Sequence, residues 1–315
     1  MNILLQIILL VVGFYMLIKG ADFFVDGVSS IADRFGIPQL VIGLTIVAMG
    51  TSAPEAAVSI TAALEKSAGI TVGNVLGSNI MNILVILGIT AVIVPVAVQM
   101  STLKYEIPYM IIISVLLLVL GMSGNSISRL DGVILWVFFI IYLLYLLYMA
   151  KKGKIEEEEK TEGMQGSIIK LLLVSIFGVA LIIFGSDISV NAAKELARIA
   201  GLSELFIGLT IVALGTSLPE LVTSVTAARK GKADIAIGNI VGSNVFNILF
   251  VVGTSALITD IEFQPKFLTD GLVSIGAGIL LLVSVIRTKS LKRPAGIVML
   301  LCYVAYLAYL LTMTA

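Results

Sequence analysis

Histidine is absent from this sequence of 315 residues, and cysteine occurs once, at Cys302. The missing histidine excludes imidazole metal sites, histidine-based proton relays and catalytic triads with a histidine base. A single cysteine excludes a disulfide framework and a thiolate metal centre. We expect no enzyme activity and no bound cofactor. We also expect no nucleic-acid partner and infer no obligate protein partner.

Charged residues are also scarce, at 13%, whereas 59% of the residues are hydrophobic and the mean hydropathy is +1.11. In a soluble domain about a quarter of the residues are charged. Apolar stretches of about 20 residues recur between short polar breaks, which indicates helices that span a membrane. Segments such as 110–120 and 134–149 lack the alternation of a membrane β-barrel. The sequence thus predicts an all-α polytopic membrane protein.

The apolar segments predict ten transmembrane helices. They span residues 3–28, 38–65, 70–97, 103–123, 130–150, 167–194, 203–229, 234–259, 267–287 and 293–313. The first is expected to be a retained membrane helix rather than a signal peptide, because it lacks a basic region and an obvious cleavage site. The polar segment 151–166 is predicted to be a solvated linker between a first unit, residues 1–150, and a second, residues 167–315.

Two segments of the first half recur in the second half. GLTIVAMGTSAPE at 43–55 returns as GLTIVALGTSLPE at 208–220, and GNVLGSNIMNIL at 73–84 returns as GNIVGSNVFNIL at 238–249. The offset is 165 for both pairs (208 − 43 and 238 − 73). Because each half holds an odd number of helices, five, the second half must enter the membrane from the opposite side. We therefore predict two inverted repeats, a common plan of secondary transporters.

Basic residues are distributed unevenly over the predicted loops. Five lie on the side of the N-terminus and fourteen on the opposite side, which includes the linker. Loops rich in lysine and arginine stay in the cytoplasm. We therefore expect a multi-pass protein of the cell membrane with both termini outside and the 151–166 linker in the cytoplasm.

Each copy of the first repeated segment ends in a proline followed by a glutamate, Glu55 or Glu220. Both glutamates fall well inside a predicted membrane helix, where a charge costs at least about 2.5–3.5 kcal/mol. A proline within a helix removes a backbone hydrogen bond, so we expect local unwinding that exposes the carbonyl oxygens of residues 48–50 and 213–215. In inverted repeats the two carboxylates can converge near the membrane midplane.

The second repeated segment supplies polar side chains four residues apart, which places them along one helix face. They are Asn74, Ser78 and Asn82, repeated as Asn239, Ser243 and Asn247. Together with the glutamates and nearby hydroxyls they offer only oxygen ligands, which suit Ca²⁺ or Na⁺ and not soft metals. Two carboxylates balance one Ca²⁺ or two Na⁺, so these ions would compete for one site.

In the motifs GTSAPE and GNVLGSNIMN, and in their second copies GTSLPE and GNIVGSNVFN, the sequence resembles the calcium/cation antiporter superfamily and its prokaryotic sodium/calcium exchanger branch. The resemblance covers nearly the whole chain and implies the ten-helix inverted fold of that family, with broken helices at the ion site. It implies that Glu55 and Glu220 bind Ca²⁺ and also contact Na⁺. It completes the ligand set with Thr51, Ser52, Ser78, Asn82, Thr216, Ser217, Ser243 and Asn247, and with the carbonyl oxygens of Ala48 and Ala213 for Na⁺.

The resemblance further implies exchange of Na⁺ for Ca²⁺ by alternating access, with the cations as substrates and membrane lipid as the surroundings. Asn247 departs from the aspartate of potassium-dependent exchangers, which argues against potassium co-transport. A Ca²⁺/H⁺ antiporter is the alternative, and a passive cation channel is less favoured. The first and sixth predicted helices are expected to slide against the rest, and Asp22 and Asp187, near their ends, to have at most a gating role.

Overall fold

The computed structural model describes residues 3–152, 166–202, 207, 210–211 and 213–314. Most of the predicted linker, residues 153–165, lies outside this description. The helices are, in chain order, α1 (Ile3–Phe35), α2 (Gln39–Thr51), α3 (Ala53–Leu64), α4 (Gly69–Ile93), α5 (Thr102–Gly124), α6 (Arg129–Lys152), α7 (Ile168–Ile199), α8 (Ala213–Thr216), α9 (Leu218–Arg229), α10 (Ala233–Ile258), α11 (Lys266–Ile286) and α12 (Arg293–Thr314).

Eight of the described helices are long and apolar enough to cross a membrane. The pair α2 and α3, which meet at an angle of 52°, together form a ninth candidate span. The predicted all-α polytopic membrane fold is therefore confirmed. The predicted helix at 203–229 falls partly on residues outside the description, so the count of ten stays a prediction.

Helices α1 and α7 are longer than predicted. The sequence-based ends at residues 28 and 194 are wrong, because α1 continues to Phe35 and α7 to Ile199. At 1.5 Å per residue, helices of 33 and 32 residues exceed the hydrocarbon core of about 30 Å. Their final turns therefore extend beyond the apolar layer, where charged residues such as Arg34 and Arg198 are tolerated. A search for apolar runs stops at these charges, whereas the helix does not.

The centre of the molecule is formed by α4 and α10. In the most apolar 18-residue stretch of each helix, 78% is buried in α4 and 94% in α10, compared with 22% in α1 and 28% in α7. Small residues allow this close packing. A Cβ atom on Gly242 of α10 would lie only 2.7 Å from the carbonyl oxygen of Leu44 in α2. Helix α2 therefore lies directly against α10, beside its polar residues.

Helices α1 and α7 pack on each other through glycines in both halves. A Cβ on Gly13 would lie 2.8 Å from the carbonyl oxygen of Gly185, and one on Gly20 would lie 2.7 Å from that of Gly178. At the offset of the repeated motifs, Gly178 is the equivalent of Gly13 and Gly185 that of Gly20. The two contacts are therefore reciprocal between equivalent positions.

Four short strands also pair between the two halves of the chain. Strand β1 (Val96–Ala97) pairs with β4 (Ser290–Leu291), and β2 (Ser126–Ile127) pairs with β3 (Ile261–Glu262), both antiparallel. Strand β3 follows β1 at the motif offset of 165 (261 − 96), whereas β4 follows β2 at an offset of 164 (290 − 126). The second half is thus one residue shorter between its strands, so the offset changes from 165 to 164 between β1 and β2 and is 164 in α6 and α12.

Candidate functional site

Glu55 and Glu220 each lie in the first turn of a short helix, directly after a residue that interrupts the helical geometry. Between α2 and α3 the helical geometry is interrupted only at Ser52 (φ −85°, ψ 8°). Between α8 and α9 it is interrupted only at Ser217 (φ −93°, ψ 5°). The bend turns each glutamate out of the line of the preceding helix and places it at a helix N-terminus, where a negative charge is favourable.

The unwinding predicted over residues 48–50 and 213–215 is wrong, since both stretches are helical. Pro54 and Pro219 fall in the first turns of α3 and α9, where the missing N–H interrupts no hydrogen bond within the new helix. The irregular backbone is therefore confined to one residue. The carbonyl oxygen of Ala48 accepts hydrogen bonds from the Ser52 amide at 3.0 Å and from Ser243 Oγ at 3.4 Å.

The two carboxylates meet in one buried site. Both Glu55 and Glu220 are 1% exposed, and they interact electrostatically. Ser52 Oγ, from the break in the first half, donates a hydrogen bond to Glu220 Oε1 at 2.7 Å. The Oε2 atoms of both glutamates have no hydrogen-bond partner, nor has Ser217 Oγ. The structure thus brings together the equivalent carboxylates of the two halves.

Asn74 and Asn239 hold the backbone behind each glutamate. Asn74 Nδ2 donates to Ser59 Oγ at 3.0 Å and approaches the Glu55 carbonyl oxygen at 3.4 Å. In the second half, Asn239 Nδ2 makes equivalent contacts with Ser224 Oγ at 2.9 Å and the Glu220 carbonyl oxygen at 3.4 Å. These asparagines therefore position the glutamates and use their amide hydrogens within the protein.

A ring of four asparagines joins α4 to α10. Asn79 Nδ2 donates to the Asn244 carbonyl oxygen at 3.2 Å, and Asn244 Nδ2 donates to that of Asn79 at 3.2 Å. Asn82 Nδ2 donates to Asn244 Oδ1 at 2.9 Å, and Asn247 Nδ2 donates to Asn79 Oδ1 at 3.1 Å. The side-chain oxygens of Asn82 and Asn247 are left buried without partners. The ring therefore presents these two asparagines as acceptors.

Asn79 and Asn244 were missed by the sequence analysis. Both follow a predicted ligand, Ser78 or Ser243, by one residue, so they lie off the face defined by the four-residue spacing. The signal that could have found them is their presence in both copies of the GSN motif.

The remaining predicted ligands lie on the same helices as the glutamates and the asparagine ring, or directly before them in the sequence. Thr51 Oγ1 is 3.0 Å from Asn239 Oδ1 and 3.1 Å from the Val47 carbonyl oxygen. Ser78 and Ser243 are buried on α4 and α10, and Thr216 is half-buried at the end of α8. Ala213 begins α8.

The unpartnered atoms indicate what this site can hold. They are Glu55 Oε2, Glu220 Oε2, Asn82 Oδ1, Asn247 Oδ1 and Ser217 Oγ. A buried polar atom without a partner costs about 1–3 kcal/mol. In the described part of the chain, acidic, histidine and cysteine side chains form no metal-binding group of three or more. The site is therefore one of two carboxylates and neutral oxygens, which fits a hard cation carried as a substrate.

Ion pairs connect the second half of α1 to the turn between α9 and α10. Lys230 Nζ lies 3.1 Å from Asp22 Oδ1 and 2.8 Å from Asp26 Oδ2, and Lys232 Nζ lies 3.5 Å from Asp26 Oδ1. Burial lowers the pKa of Lys232, and Asp26 partly offsets this effect. Asp187, the counterpart of Asp22, instead accepts a hydrogen bond at 3.1 Å from Asn191 on its own helix.

Comparison with known proteins gives consistent matches over the chain. The profile of the family described as sodium/calcium exchanger protein matches residues 5–148 and 170–312. Inner membrane protein YrbG of Escherichia coli (strain K12) is 37% identical over 324 residues, covering 98% of this chain and 97% of YrbG. The sodium/calcium exchanger MaX1 of Methanosarcina acetivorans is 34% identical over 357 residues, covering 98% and 99% of the two chains.

Solved structures of the sodium-calcium exchanger NCX_Mj have the same fold. NCX_Mj soaked with zero Na⁺ and Ca²⁺ gives a TM-score of 0.84 at 30% identity, covering 98% of this chain and 100% of that chain. NCX_Mj soaked with 10 mM Na⁺ and zero Ca²⁺ gives a TM-score of 0.82 at 31% identity. The exchangers among these relatives are membrane transporters and not enzymes.

Proposed function

The chain belongs to the sodium/calcium exchanger protein family, as its repeated motifs predicted, and on this premise we propose that it exchanges Na⁺ for Ca²⁺ across the cell membrane. One observation carries the proposal. Ser52 of the first half donates a hydrogen bond to Glu220 of the second half at 2.7 Å, beside the second buried carboxylate of Glu55. Both halves therefore contribute to one cation site.

The charge of this site explains why transport is an exchange. Two ionised carboxylates are neutralised by one Ca²⁺ or by two Na⁺, so occupancy by one ion excludes the other. Leaving both charges uncompensated in the membrane interior is unfavourable, which discourages the empty carrier from changing its access. The ligands proposed for these cations are Glu55, Glu220, Thr51, Ser52, Ser78, Asn82, Thr216, Ser217, Ser243 and Asn247, with the carbonyl oxygens of Ala48 and Ala213.

Alternating access follows from the arrangement of the two halves. The reciprocal glycine contacts and strand pairs support two inverted five-helix repeats, each contributing one glutamate. In this scheme α1 and α7 move together against the central helices, because their glycine contacts fasten them to each other. The ion pairs of Asp22 and Asp26 with Lys230 connect α1 to the turn before α10, so they must break when α1 slides.

The orientation follows from the loop charges. The linker side carries most of the basic residues and is placed in the cytoplasm, with both termini outside. Lys230 and Lys232 lie on this side, so the ion-pair cluster closes the cytoplasmic end in the conformation described. Downhill entry of Na⁺ would then drive Ca²⁺ out of the cell.

The test is ⁴⁵Ca²⁺ uptake into proteoliposomes containing the full chain. A sodium gradient directed outward should drive Ca²⁺ in, with pH equal on both sides and potassium absent. Glu55→Gln and Glu220→Gln should each abolish this flux. Glu65→Gln, which removes an exposed carboxylate at the end of α3, is the matched control and should leave the flux unchanged.

The same assay separates the alternatives. Uptake driven by a pH gradient alone would identify a Ca²⁺/H⁺ antiporter, in which a carboxylate trades its proton for the metal. Ca²⁺ flux that is not coupled to the gradient of any counter-ion would identify a channel. Either result would overturn sodium-coupled exchange.

A further inference from the structure

A second buried carboxylate cluster lies at the start of α5, away from the central site. Glu106, 1% exposed, accepts a hydrogen bond through Oε1 from the hydroxyl of Tyr145 on α6. Its other oxygen, Oε2, has no hydrogen-bond partner. The hydroxyl groups of Thr102 and Tyr142 are also unpartnered, although these residues are only 0% and 3% exposed.

These groups face one another. The Thr102 side chain interacts with the Glu106 carboxylate without completing a hydrogen bond, and Tyr142 interacts with it electrostatically. The ring of Tyr142 is held by stacking on Tyr109, with centroids 5.5 Å apart. Three buried oxygens without hydrogen-bond partners therefore belong to side chains that interact with one another between α5 and α6. Buried polar groups normally have partners, so such a cluster needs a ligand or another explanation.

The backbone at this point resembles that of the central site. Thr102–Glu106 is a π-helical segment, and such segments are frequent at functional sites. Two other π-helical segments, Asn82–Leu87 and Asn247–Val252, begin at the unpartnered asparagines of the central site. The local widening of the helix that accompanies the central ligands thus recurs at Glu106.

The second half of the chain shows how the same position can be neutralised from within. If the residue missing from the second half is placed before α11, the offset there is 164, and Glu106 aligns with Asp270 and Thr102 with Lys266. Asp270 Oδ1 accepts a hydrogen bond from Tyr306 at 2.7 Å, and the carboxylate is attracted by the Lys266 ammonium group. In the first half a threonine replaces that lysine. Among the described residues no lysine or arginine forms an ion pair with Glu106.

We propose that Glu106, Thr102 and Tyr142 together bind one alkali metal ion, which neutralises Glu106 as the Lys266 ammonium group does Asp270 in the second half. A carboxylate oxygen and two hydroxyl oxygens are hard ligands. A single carboxylate matches a single positive charge, whereas a divalent ion would leave a buried excess charge. The bound ion links α5 to α6 and is separate from the ions that are exchanged.

The test uses the full chain purified in detergent, with Glu55→Gln and Glu220→Gln present to disable the central site. The unfolding temperature is measured while Na⁺ replaces choline at constant ionic strength and fixed neutral pH, and a second series uses K⁺. We expect the midpoint to rise by roughly 2–4 °C at saturation with at least one of the two ions. Glu106→Gln should abolish the rise, and the matched change Asp270→Asn should preserve it.

Two results would overturn the proposal: no rise with either alkali ion, or a rise that survives Glu106→Gln. Should Glu106→Gln fail to fold, Tyr142→Phe removes one hydroxyl and keeps the stacked ring. It should raise the cation concentration needed for half the effect by roughly tenfold, and an unchanged concentration would contradict the proposal. Because the central carboxylates are already removed, failure here leaves the proposed exchange untouched, and the flux assay tests that separately.

Discussion

Asn74 and Asn239, which are equivalent positions of the two halves, make the same pair of hydrogen bonds, whereas Glu65 and Lys230, also equivalent positions, carry opposite charges. The first pair lies at the centre of the molecule, where each asparagine positions one of the two buried glutamates. The second pair lies in turns at opposite ends of the predicted inverted fold. The two halves thus keep the same chemistry around the buried glutamates, whereas the lysine that pairs with Asp22 and Asp26 of α1 has a glutamate as its counterpart in the first half.

The largest effect should come from breaking the symmetry at the centre. Glu55→Gln and Glu220→Gln each remove one of the two buried carboxylates that are proposed to bind the cation. Losing one partner of a buried charge interaction costs about 2 kcal/mol or more, so Ca²⁺ affinity should fall by roughly 30-fold or more in each variant. Calorimetric titration with Ca²⁺ measures this. Full affinity in either variant would show that only one half supplies the charge.

A smaller effect should come from the crossing of α1 and α7. Gly20→Ala places a Cβ 2.7 Å from the Gly178 carbonyl oxygen, and Gly185→Ala places one 2.8 Å from that of Gly13. Overpacking of this kind costs about 1–3 kcal/mol, and both variants should lose similar stability in thermal unfolding.

Gly276→Ala is the control for this pair, because a Cβ there meets no atom within 4 Å. Its unfolding temperature should not fall. Equal losses in all three variants would indicate a general effect of alanine and not a close helix contact.

The smallest effect should come from the asymmetric ends. Lys230→Met removes the ion pairs to Asp22 and Asp26, which are about one-third exposed. Such pairs are worth about 0.2–1 kcal/mol, so the balance between access states should shift by up to roughly fivefold. Hydrogen exchange of the α1 amides around Asp22 and Asp26 should become faster to that extent. Asp187→Asn in α7 should leave exchange of these amides unchanged, and an equal acceleration would show that the two ends do not differ.

Much of this structure could be predicted from the sequence, because the repeated motifs are local. A glutamate behind a proline in an apolar helix is visible without coordinates, and its second copy identifies the other half of the site. Helix ends were less predictable, since α1 and α7 continue as helices into polar surroundings beyond their apolar runs.

Contacts between distant segments could not be predicted in the same way. The hydrogen bond from Ser52 to Glu220 depends on how the bend between α2 and α3 meets α9, and the ring of Asn79 with Asn244 depends on how α4 and α10 cross. Glu106 was not recognised because it lies near the start of a predicted helix, where a charge is ordinary. Only the packing of α6 over it reveals that it is buried.

The most direct test of the central claim is whether Na⁺ and Ca²⁺ share one site built from both glutamates. Equilibrium ⁴⁵Ca²⁺ binding to the purified chain, repeated at increasing Na⁺ with choline as the balancing cation, measures this. We expect one Ca²⁺ to bind per chain, with an apparent Kd that rises with the square of the Na⁺ concentration, because two Na⁺ replace one Ca²⁺. A binding capacity that falls with Na⁺ while the Kd stays constant, or Ca²⁺ binding that does not change with Na⁺, would contradict a shared site.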